Sequence, residues 1–182
     1  MQAAEVPVIA QADPVQLPNG AMYQGPCDER GLPHGIGILT SGGPLDGVLR
    51  VWVYEGELRH GERHGRGTCK YYCTSEAMEF AGEYDGQFEK DQRSGDGRMS
   101  YPNGASYDGE WASDKRKGRG KYINSDGSIY FEGQWRDNVA HDERGEQVDP
   151  NGAVMCGSPP RDTMDDDECA RNRSIPYLET CD

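Results

Sequence analysis

The chain has 182 residues, of which 34% are hydrophobic and 25 are glycine, and its formal net charge at pH 7 is -13. So polar a composition cannot build a large globular core, and the negative charge repels polyanions. We therefore expect no nucleic-acid partner, and an anionic membrane is a poor default partner.

Residues 1–16 are predicted to be an N-terminal extension. They contain no Lys or Arg and only a short apolar run, Val6–Ala10, which is not the pattern of a secretory signal. No segment of the sequence is long and apolar enough for a transmembrane helix. These features predict a cytoplasmic protein whose cysteines are reduced.

Residues 17–157 are predicted to form one array of internal repeats. Five copies of an aromatic-x-Gly step follow one another, and the tetrad Pro-Asn-Gly-Ala occurs three times. Repeats of this kind predict an elongated architecture in which each copy packs on its neighbours. The residues that we assign to packing between repeats are Tyr23, Gly25, Tyr54, Gly56, Tyr84, Gly86, Phe88, Tyr107, Gly109, Trp111, Phe131, Gly133 and Trp135.

The fourth copy shows the predicted unit most clearly. Tyr107, Gly109 and Trp111 alternate with acidic residues, so in a strand they share one face. We expect the missing side chain of Gly109 to leave a slot for an aromatic ring of the adjacent repeat. A polar bend at Ala112–Lys117 then leads into a second strand, and Asn103–Gly104 predicts a type I′ turn into the next unit. The predicted fold class is all-β, an antiparallel sheet of stacked β-hairpins with irregular termini.

Two early linkers, Ser41–Val53 and Cys73–Phe80, each carry about seven residues more than the later ones. Both lie between corresponding strands, so they should emerge on the same rim of the array. The apolar run Val51-Trp52-Val53 favours ordered, longer hairpins, and partner-binding loops are the alternative.

The repeat ends irregularly. Where the fifth copy should carry Gly-x-Gly, the chain has Asp142-Glu-Arg144, and residues 158–182 are predicted to be an acidic C-terminal tail. The tail has one apolar cluster, formed by Ile175, Tyr177 and Leu178. We interpret this cluster as a docking segment, with a solvated tail as the alternative.

The sequence offers no set of nucleophile, base and oxyanion donor, so we predict no catalytic residues, no cofactor and no enzyme activity. The best metal candidate combines His60, His64, Cys69 and Cys73, four potential ligands within fourteen residues. Because the histidines precede the cysteines, the reverse of the usual finger order, we interpret them as bend histidines and strand-filling thiols. The sequence therefore predicts no metal site.

A basic run, Lys115, Arg116, Lys117 and Arg119, lies at the predicted bend of the fourth copy. A second basic run, Arg59–Arg66, lies at the bend of the second copy. If consecutive bends line one rim, the cations of both runs form a stripe that could dock an acidic protein surface or an inositol phospholipid headgroup. A solvated rim without a partner is the alternative.

The pattern of Tyr-x-Gly-x-aromatic, a short polar bend and Gly-x-Gly resembles the membrane occupation and recognition nexus (MORN) repeat. The segments Tyr54–Gly67 and Tyr107–Gly120 are the closest matches, and the resemblance covers about Leu17–Gly157. It implies a twisted, elongated antiparallel β-array that acts as an assembly scaffold. Members of this family occur in ciliary radial spokes, junctional membrane proteins and cytoskeletal baskets, and as appendages of enzymes.

The predicted function is a non-catalytic scaffold and protein–protein interaction module in a large cytoskeletal assembly. On the habits of the family, the leading location is the axoneme of a cilium or flagellum, in a complex of the radial-spoke type. The expected partners are other proteins of that assembly, and self-association stays open. A peripheral phosphoinositide-binding membrane adaptor is the alternative, and the regulatory subunit of a separate enzyme is a more distant one.

Overall fold

The computed structural model describes residues 13–41, 44–45, 48–74 and 79–141. These residues form strands joined by turns and loops, and none of them lies in a helix. The strands are β1 Val15–Gln16, β2 Met22–Gln24, β3 Gly35–Thr40, β4 Pro44–Leu45, β5 Val48–Arg59, β6 Glu62–Thr74, β7 Glu79–Glu89, β8 Gln92–Ser100, β9 Ser106–Ala112, β10 Lys115–Ile123, β11 Ile129–Arg136 and β12 Val139–His141.

All the strands belong to one 12-stranded antiparallel sheet, in which they follow one another in chain order except that β4 pairs with β5 alone. Each described hairpin therefore pairs with the hairpins before and after it along the chain, as expected for a repeat array. The predicted all-β class is confirmed. The predicted boundary at 157–158 stays a prediction, since residues 142–182 lie outside the described residues. At the other end, β1 (Val15–Gln16) already pairs with β2, so the sheet includes the last two residues of the predicted extension.

Each central hairpin has a pair of glycines opposite one another, for example Gly109 and Gly120. The ring of Tyr107 lies across both: a β-carbon at Gly109 would be 2.8 Å from the Tyr107 hydroxyl, and one at Gly120 would be 2.5 Å from its Cζ. The hydroxyl itself donates a hydrogen bond of 3.1 Å to the Glu110 carbonyl. The slot prediction was therefore wrong about the ring, because the glycines accommodate the tyrosine of their own repeat.

Rings of adjacent repeats pack edge-to-face against these tyrosines instead. Tyr84 lies 5.3 Å from Trp111, and Tyr107 lies 5.2 Å from Trp135, measured between ring centroids. Such contacts join successive repeats without a break in the order Tyr54, Phe88, Tyr84, Trp111, Tyr107, Trp135, Phe131. Each aromatic pair typically contributes about 0.5–1.5 kcal/mol beyond burial. The core is thus one continuous row of rings on one face of the sheet.

The turns at one edge of the sheet are tighter than predicted. Ser113 and Asp114 have φ angles of 50° and 66°, so they form a two-residue turn, and Lys115 already belongs to β10. Residues at the equivalent turns also have positive φ: His60 and Gly61, Lys90 and Asp91, Asp137 and Asn138. The predicted bend at Ala112–Lys117 is in the right place but too long.

At the opposite edge, the prediction of a type I′ turn at Asn103–Gly104 was wrong. Gly104 has a φ of 87°, whereas Asn103 does not have a positive φ. The Gly104 N–H donates to the Tyr101 carbonyl at 3.0 Å, and the Asn103 side chain accepts from the Ala105 N–H at 3.0 Å. Proline at 102 fixes a negative φ, which favours this three-residue loop with glycine at the left-handed position.

The two early insertions lengthen the hairpin formed by β5 and β6. Strands β5 and β6 stay paired from Gly56 and Gly67 as far as Leu49 and Thr74. Beside this extension, the Ser41 hydroxyl accepts a hydrogen bond of 3.2 Å from the Trp52 N–H. The prediction of longer ordered hairpins is confirmed for the described part of both insertions.

Candidate functional site

Three arginines lie on the aromatic face, at the same position of successive repeats. They are Arg63, Arg93 and Arg116, each two residues before the Gly-x-Gly step. Arg93 is fully buried, and its guanidinium carbon lies 4.4 Å from the centroid of the Trp111 ring. The corresponding distances are 4.7 Å from Arg63 to Trp52 and 4.6 Å from Arg116 to Trp135. Cation–π contacts of this geometry are stronger when they are desolvated, as here.

Each of these arginines also links its own hairpin to the next turn. Arg93 donates from its backbone N–H and from Nε to Oδ1 of Asp114, at 2.9 Å and 3.2 Å. Arg63 makes the same contacts with Asp91, whereas Arg116 faces Asn138 and donates to its carbonyl oxygen at 3.0 Å. We call this set the arginine ladder. It fixes neighbouring repeats to one another in addition to the β-ladder and the rings.

The structure divides the predicted basic site. Arg116 is only 6% exposed and packs in the aromatic core, so its assignment to a basic rim was wrong. Lys115 forms an ion pair of 3.3 Å with Asp137, and Lys117 and Arg119 are exposed on β10. Of the four predicted residues, Lys117 and Arg119 therefore remain as the exposed basic pair. Arg116 packs in the core, and Lys115 is in an ion pair.

The rim itself is not a continuous stripe of cations. Among the four two-residue turns, the charged positions are Lys90 against the three aspartates Asp91, Asp114 and Asp137. Alternation also places Arg116 on the face opposite to its charged neighbours in β10, because successive side chains of a strand point to opposite sides. The two-residue turns therefore do not form the expected stripe, and docking through exposed cations beside them, such as Lys117 and Arg119, stays a prediction.

The face opposite the rings carries alternating charges across neighbouring strands. Asp85 is opposite Arg98, Arg98 is opposite Asp108, and Asp108 is opposite Lys121. Lys121 forms an ion pair of 3.0 Å with Glu132 on the following strand. We call these five residues the charged row. Opposite charges at directly paired positions stabilise the sheet slightly and leave little net field for a polyanion.

The structure does not bring the four residues of the metal candidate together. Cys69 is buried on the aromatic face, where the Arg63 Nη1 lies 3.7 Å from its sulfur, and burial raises the pKa of its thiol. His60 lies at the turn before β6, whereas Cys73 lies near the far end of that strand. The interpretation of the thiols as strand-filling residues fits this placement.

A different polar cluster joins the first two hairpins. Asp28 lies in the loop between β2 and β3, and its Oδ2 is 2.8 Å from Nδ1 of His60 in the turn between β5 and β6. This hydrogen bond, followed by that from the Leu32 N–H, lowers the pKa of the Asp28 carboxyl. The His34 ring lies beside His60, with 5.3 Å between ring centroids.

Sequence reasoning missed both the arginine ladder and this cluster. The recurrence of Arg two residues before Gly-x-Gly in three copies is visible in the sequence, but only Arg63 and Arg116 were interpreted, as exposed charges in bends. Nothing in the sequence brings Asp28 to His60, which is 32 residues away. The tail residues Ile175, Tyr177 and Leu178 lie outside the described residues, and so does the departure from the repeat at Asp142–Arg144.

The fold and its repeated packing define a β-repeat protein built from one open sheet of hairpins. A family model for the MORN repeat matches residues 29–42, 54–72, 84–106, 107–129 and 131–141. Five segments of the chain therefore match the MORN repeat. Such repeats indicate a module for interaction with proteins or membranes. No curated protein matches the chain.

The first matched segment begins after the Tyr23-x-Gly25 step, and the last ends at His141. In the described part of the chain, no helix has the length and apolarity needed to cross a membrane.

Proposed function

We propose that this chain is a non-catalytic scaffold that binds other proteins of a large cytoskeletal assembly. The charged row carries the proposal: alternating carboxylates and cations on adjacent strands offer a protein partner many charge-complementary contacts at fixed spacing. The arginine ladder and the row of rings hold that spacing constant.

The proposal favours proteins over anionic lipid because many of the cations already have partners. Arg63, Arg93 and Arg116 are buried, and Lys70 and Lys121 have Glu83 and Glu132 within 3.6 Å and 3.0 Å. A phosphoinositide surface attracts proteins through clustered, accessible Lys and Arg, each worth about 1 kcal/mol near the membrane. The described surface offers few such clusters.

Within this proposal, we place the assembly in the axoneme, as a complex of the radial-spoke type, on the habits of the family. The test is to express a tagged chain in ciliated cells and to extract isolated cilia with detergent. A scaffold of the axoneme stays with the microtubules after the membrane is dissolved. A chain that is absent from cilia refutes the axonemal location, and one that leaves with the detergent refutes the scaffold.

One observation favours the second candidate, a peripheral phosphoinositide-binding adaptor. Lys117 and Arg119 are exposed neighbours on the same strand, so a single headgroup could contact both. Flotation with vesicles that contain a phosphatidylinositol phosphate tests it, with a Lys117→Gln/Arg119→Gln variant as the control. Strong, salt-sensitive flotation of the parent that disappears in the variant would favour the adaptor over the scaffold.

A further inference from the structure

Three side chains with metal-binding chemistry meet where the first hairpin touches the second. Asp28 comes from the loop after β2, His34 from the residue before β3, and His60 from the turn after β5. One ligand atom from each, two imidazole nitrogens and one carboxylate oxygen, can be chosen so that all lie within 4.8 Å of one another. None of these side chains belongs to the row of rings or to the arginine ladder.

We propose that Asp28, His34 and His60 bind a zinc ion. Zinc accepts imidazole nitrogen and carboxylate oxygen at about 2.0–2.2 Å, and three protein ligands leave a fourth position for water. Ligand atoms around a tetrahedral ion of this size are about 3.4 Å apart. The chosen ligand atoms lie up to 4.8 Å apart, so they must come closer to one another to bind the ion. The His60 side chain is 58% exposed, so it can rotate towards the other two ligands without disturbing the core.

The carboxylate is already oriented for one-oxygen binding. Oδ1 of Asp28 accepts hydrogen bonds from the N–H groups of Arg30 and Leu32, at 2.9 Å and 3.0 Å. These bonds direct the other oxygen, Oδ2, towards His60. Hydrogen bonds that fix a ligand's orientation in this way are typical of protein metal sites.

The backbone holds the two histidines close to each other. The His34 N–H donates to the Pro26 carbonyl at 2.9 Å, and the Gly61 N–H donates to the Pro33 carbonyl at 2.8 Å. The residues next to both imidazoles are therefore tied to one another before any ion binds. Preorganised ligands lose less conformational freedom on binding.

The site also lies where the arginine ladder is missing. The backbone hydrogen bond from the Gly61 N–H to the Pro33 carbonyl has equivalents in later repeats. There the Asp91 N–H donates to the Arg63 carbonyl, and the Asp114 N–H donates to the Arg93 carbonyl. Proline thus occupies the position at which later repeats have arginine, and no guanidinium can link the first hairpin to the second turn there. A zinc ion at Asp28, His34 and His60 would supply that link by another chemistry.

The ion can reach this position from solvent. A cleft of about 530 Å³ is lined by His34, His60 and His64, together with Glu57. His64 lines the same cleft but is not one of the three ligands, which makes it a matched control for the loss of a histidine.

The experiment measures Zn²⁺ binding to the full chain, reduced and stripped of metal, in competition with a chromophoric chelator. The variants are His34→Asn and His60→Asn, with His64→Asn as the control. Loss of even an outer partner of a metal site weakens binding about 10–100-fold, so we expect each ligand variant to lose at least tenfold in affinity at one site. We expect Zn²⁺ to raise the Tm of the parent and of the control, and not that of the ligand variants.

Two results would overturn the proposal. If Asp28 and His60 form only an ion pair, one of two outcomes follows. Either the His34→Asn variant binds Zn²⁺ with the affinity of the parent, or the parent and the variant both fail to bind Zn²⁺. If cysteines hold the metal, Co²⁺ in place of Zn²⁺ gives thiolate charge-transfer absorption that persists in both ligand variants. An Asp28→Asn variant, which keeps an acceptor for the two backbone N–H groups, provides the same comparison should a histidine variant fail to fold.

Discussion

Arg93 hydrogen bonds to Asp114 of the next turn through both the side chain and the backbone of that residue. Its Nε lies 3.2 Å from Oδ1, and its Nη2 lies 2.8 Å from the carbonyl oxygen. Because Arg93 is fully buried, this contact is shielded from solvent, and the Trp111 ring covers the guanidinium. One residue therefore joins two repeats through charge, hydrogen bonds and an aromatic contact.

We expect Arg93→Met to destabilise the chain strongly. The variant fills a similar volume but leaves Asp114 without its cation, and breaking a buried pair in this way typically costs about 3–5 kcal/mol. Chemical denaturation of the purified chain measures the change. The double variant Arg93→Met/Asp114→Asn should recover part of the loss, because Asn138 already occupies the equivalent turn with a positive φ. Equal stability of the single and double variants would contradict a role for the charge pair.

Gly109→Ala should destabilise the sheet by about 2 kcal/mol or more, in the range reached by overpacked cores. The added β-carbon would meet the Cα of Gly120 and would lie 2.6 Å from the Arg119 carbonyl, and the backbone cannot move away without breaking the hairpin. Gly127→Ala is the control: its β-carbon has open space, and only its φ of 84° opposes the change, at about 1–2 kcal/mol. Thermal unfolding should rank the two variants in this order, and the reverse order would refute the glycine-pair argument.

Replacing the basic residues of β10 should affect stability differently for the exposed and the buried side chains. Replacing Lys117 and Arg119 with Gln should change the free energy of unfolding by no more than about 0.5 kcal/mol, as is usual for exposed positions. Adding Arg116→Gln should cause a much larger loss, because the buried guanidinium donates to Asn138 and packs on Trp135. Urea denaturation of the double and triple variants checks this. A triple variant as stable as the double variant would show that the Arg116 side chain is not buried in the core.

Alkaline pH should destabilise the chain through its buried tyrosines. Burial raises the pKa of Tyr23 from 10.0 to about 12, and it also raises the pKa values of Tyr54, Tyr71 and Tyr84. Because the folded pKa lies above the unfolded one, the stabilisation is complete below about pH 10 and is lost as the pH rises towards the folded value. Urea midpoints and tyrosinate absorbance between about pH 9 and 12 measure the effect.

Tyr23→Phe provides the control for this pH dependence. It removes the ionisable hydroxyl together with its 2.6 Å hydrogen bond to the Pro26 carbonyl, so the variant should be less stable at neutral pH. Its stability should nevertheless fall less steeply than that of the parent above pH 10. A parallel fall in both proteins would show that lysines or other groups cause the alkaline loss.

Truncation after Pro160 tests the tail. We expect the shortened chain to keep its β-sheet circular dichroism and to enter its parent assembly less well, because Ile175, Tyr177 and Leu178 would no longer be available to bury against a partner. Copurification of the truncated chain with the same partners at the same stoichiometry would show that the repeats alone carry assembly.

The period of the repeat was enough to predict the fold class, the number of repeats and the aromatic residues that form the row of rings. Alternation of Tyr107, Gly109 and Trp111 with acidic residues is a local pattern, and a strand converts such a pattern directly into two faces. The extension of the central hairpin also followed from local apolar character at Val51–Val53. These features depend on neighbours in sequence, which a single sequence displays.

Other features depended on which residues meet across the sheet. The sequence could not distinguish the buried Arg116 from the exposed Lys117 and Arg119, because a two-residue turn, not a longer bend, decides which side of β10 each side chain takes. The cluster of Asp28, His34 and His60 likewise depends on tertiary contacts, among them the backbone hydrogen bond from the Gly61 N–H to the Pro33 carbonyl. The repeated residues by themselves determined that this chain forms a ladder of hairpins, whereas the register and tightness of the turns decided which charges are buried and which ligand-type side chains come together.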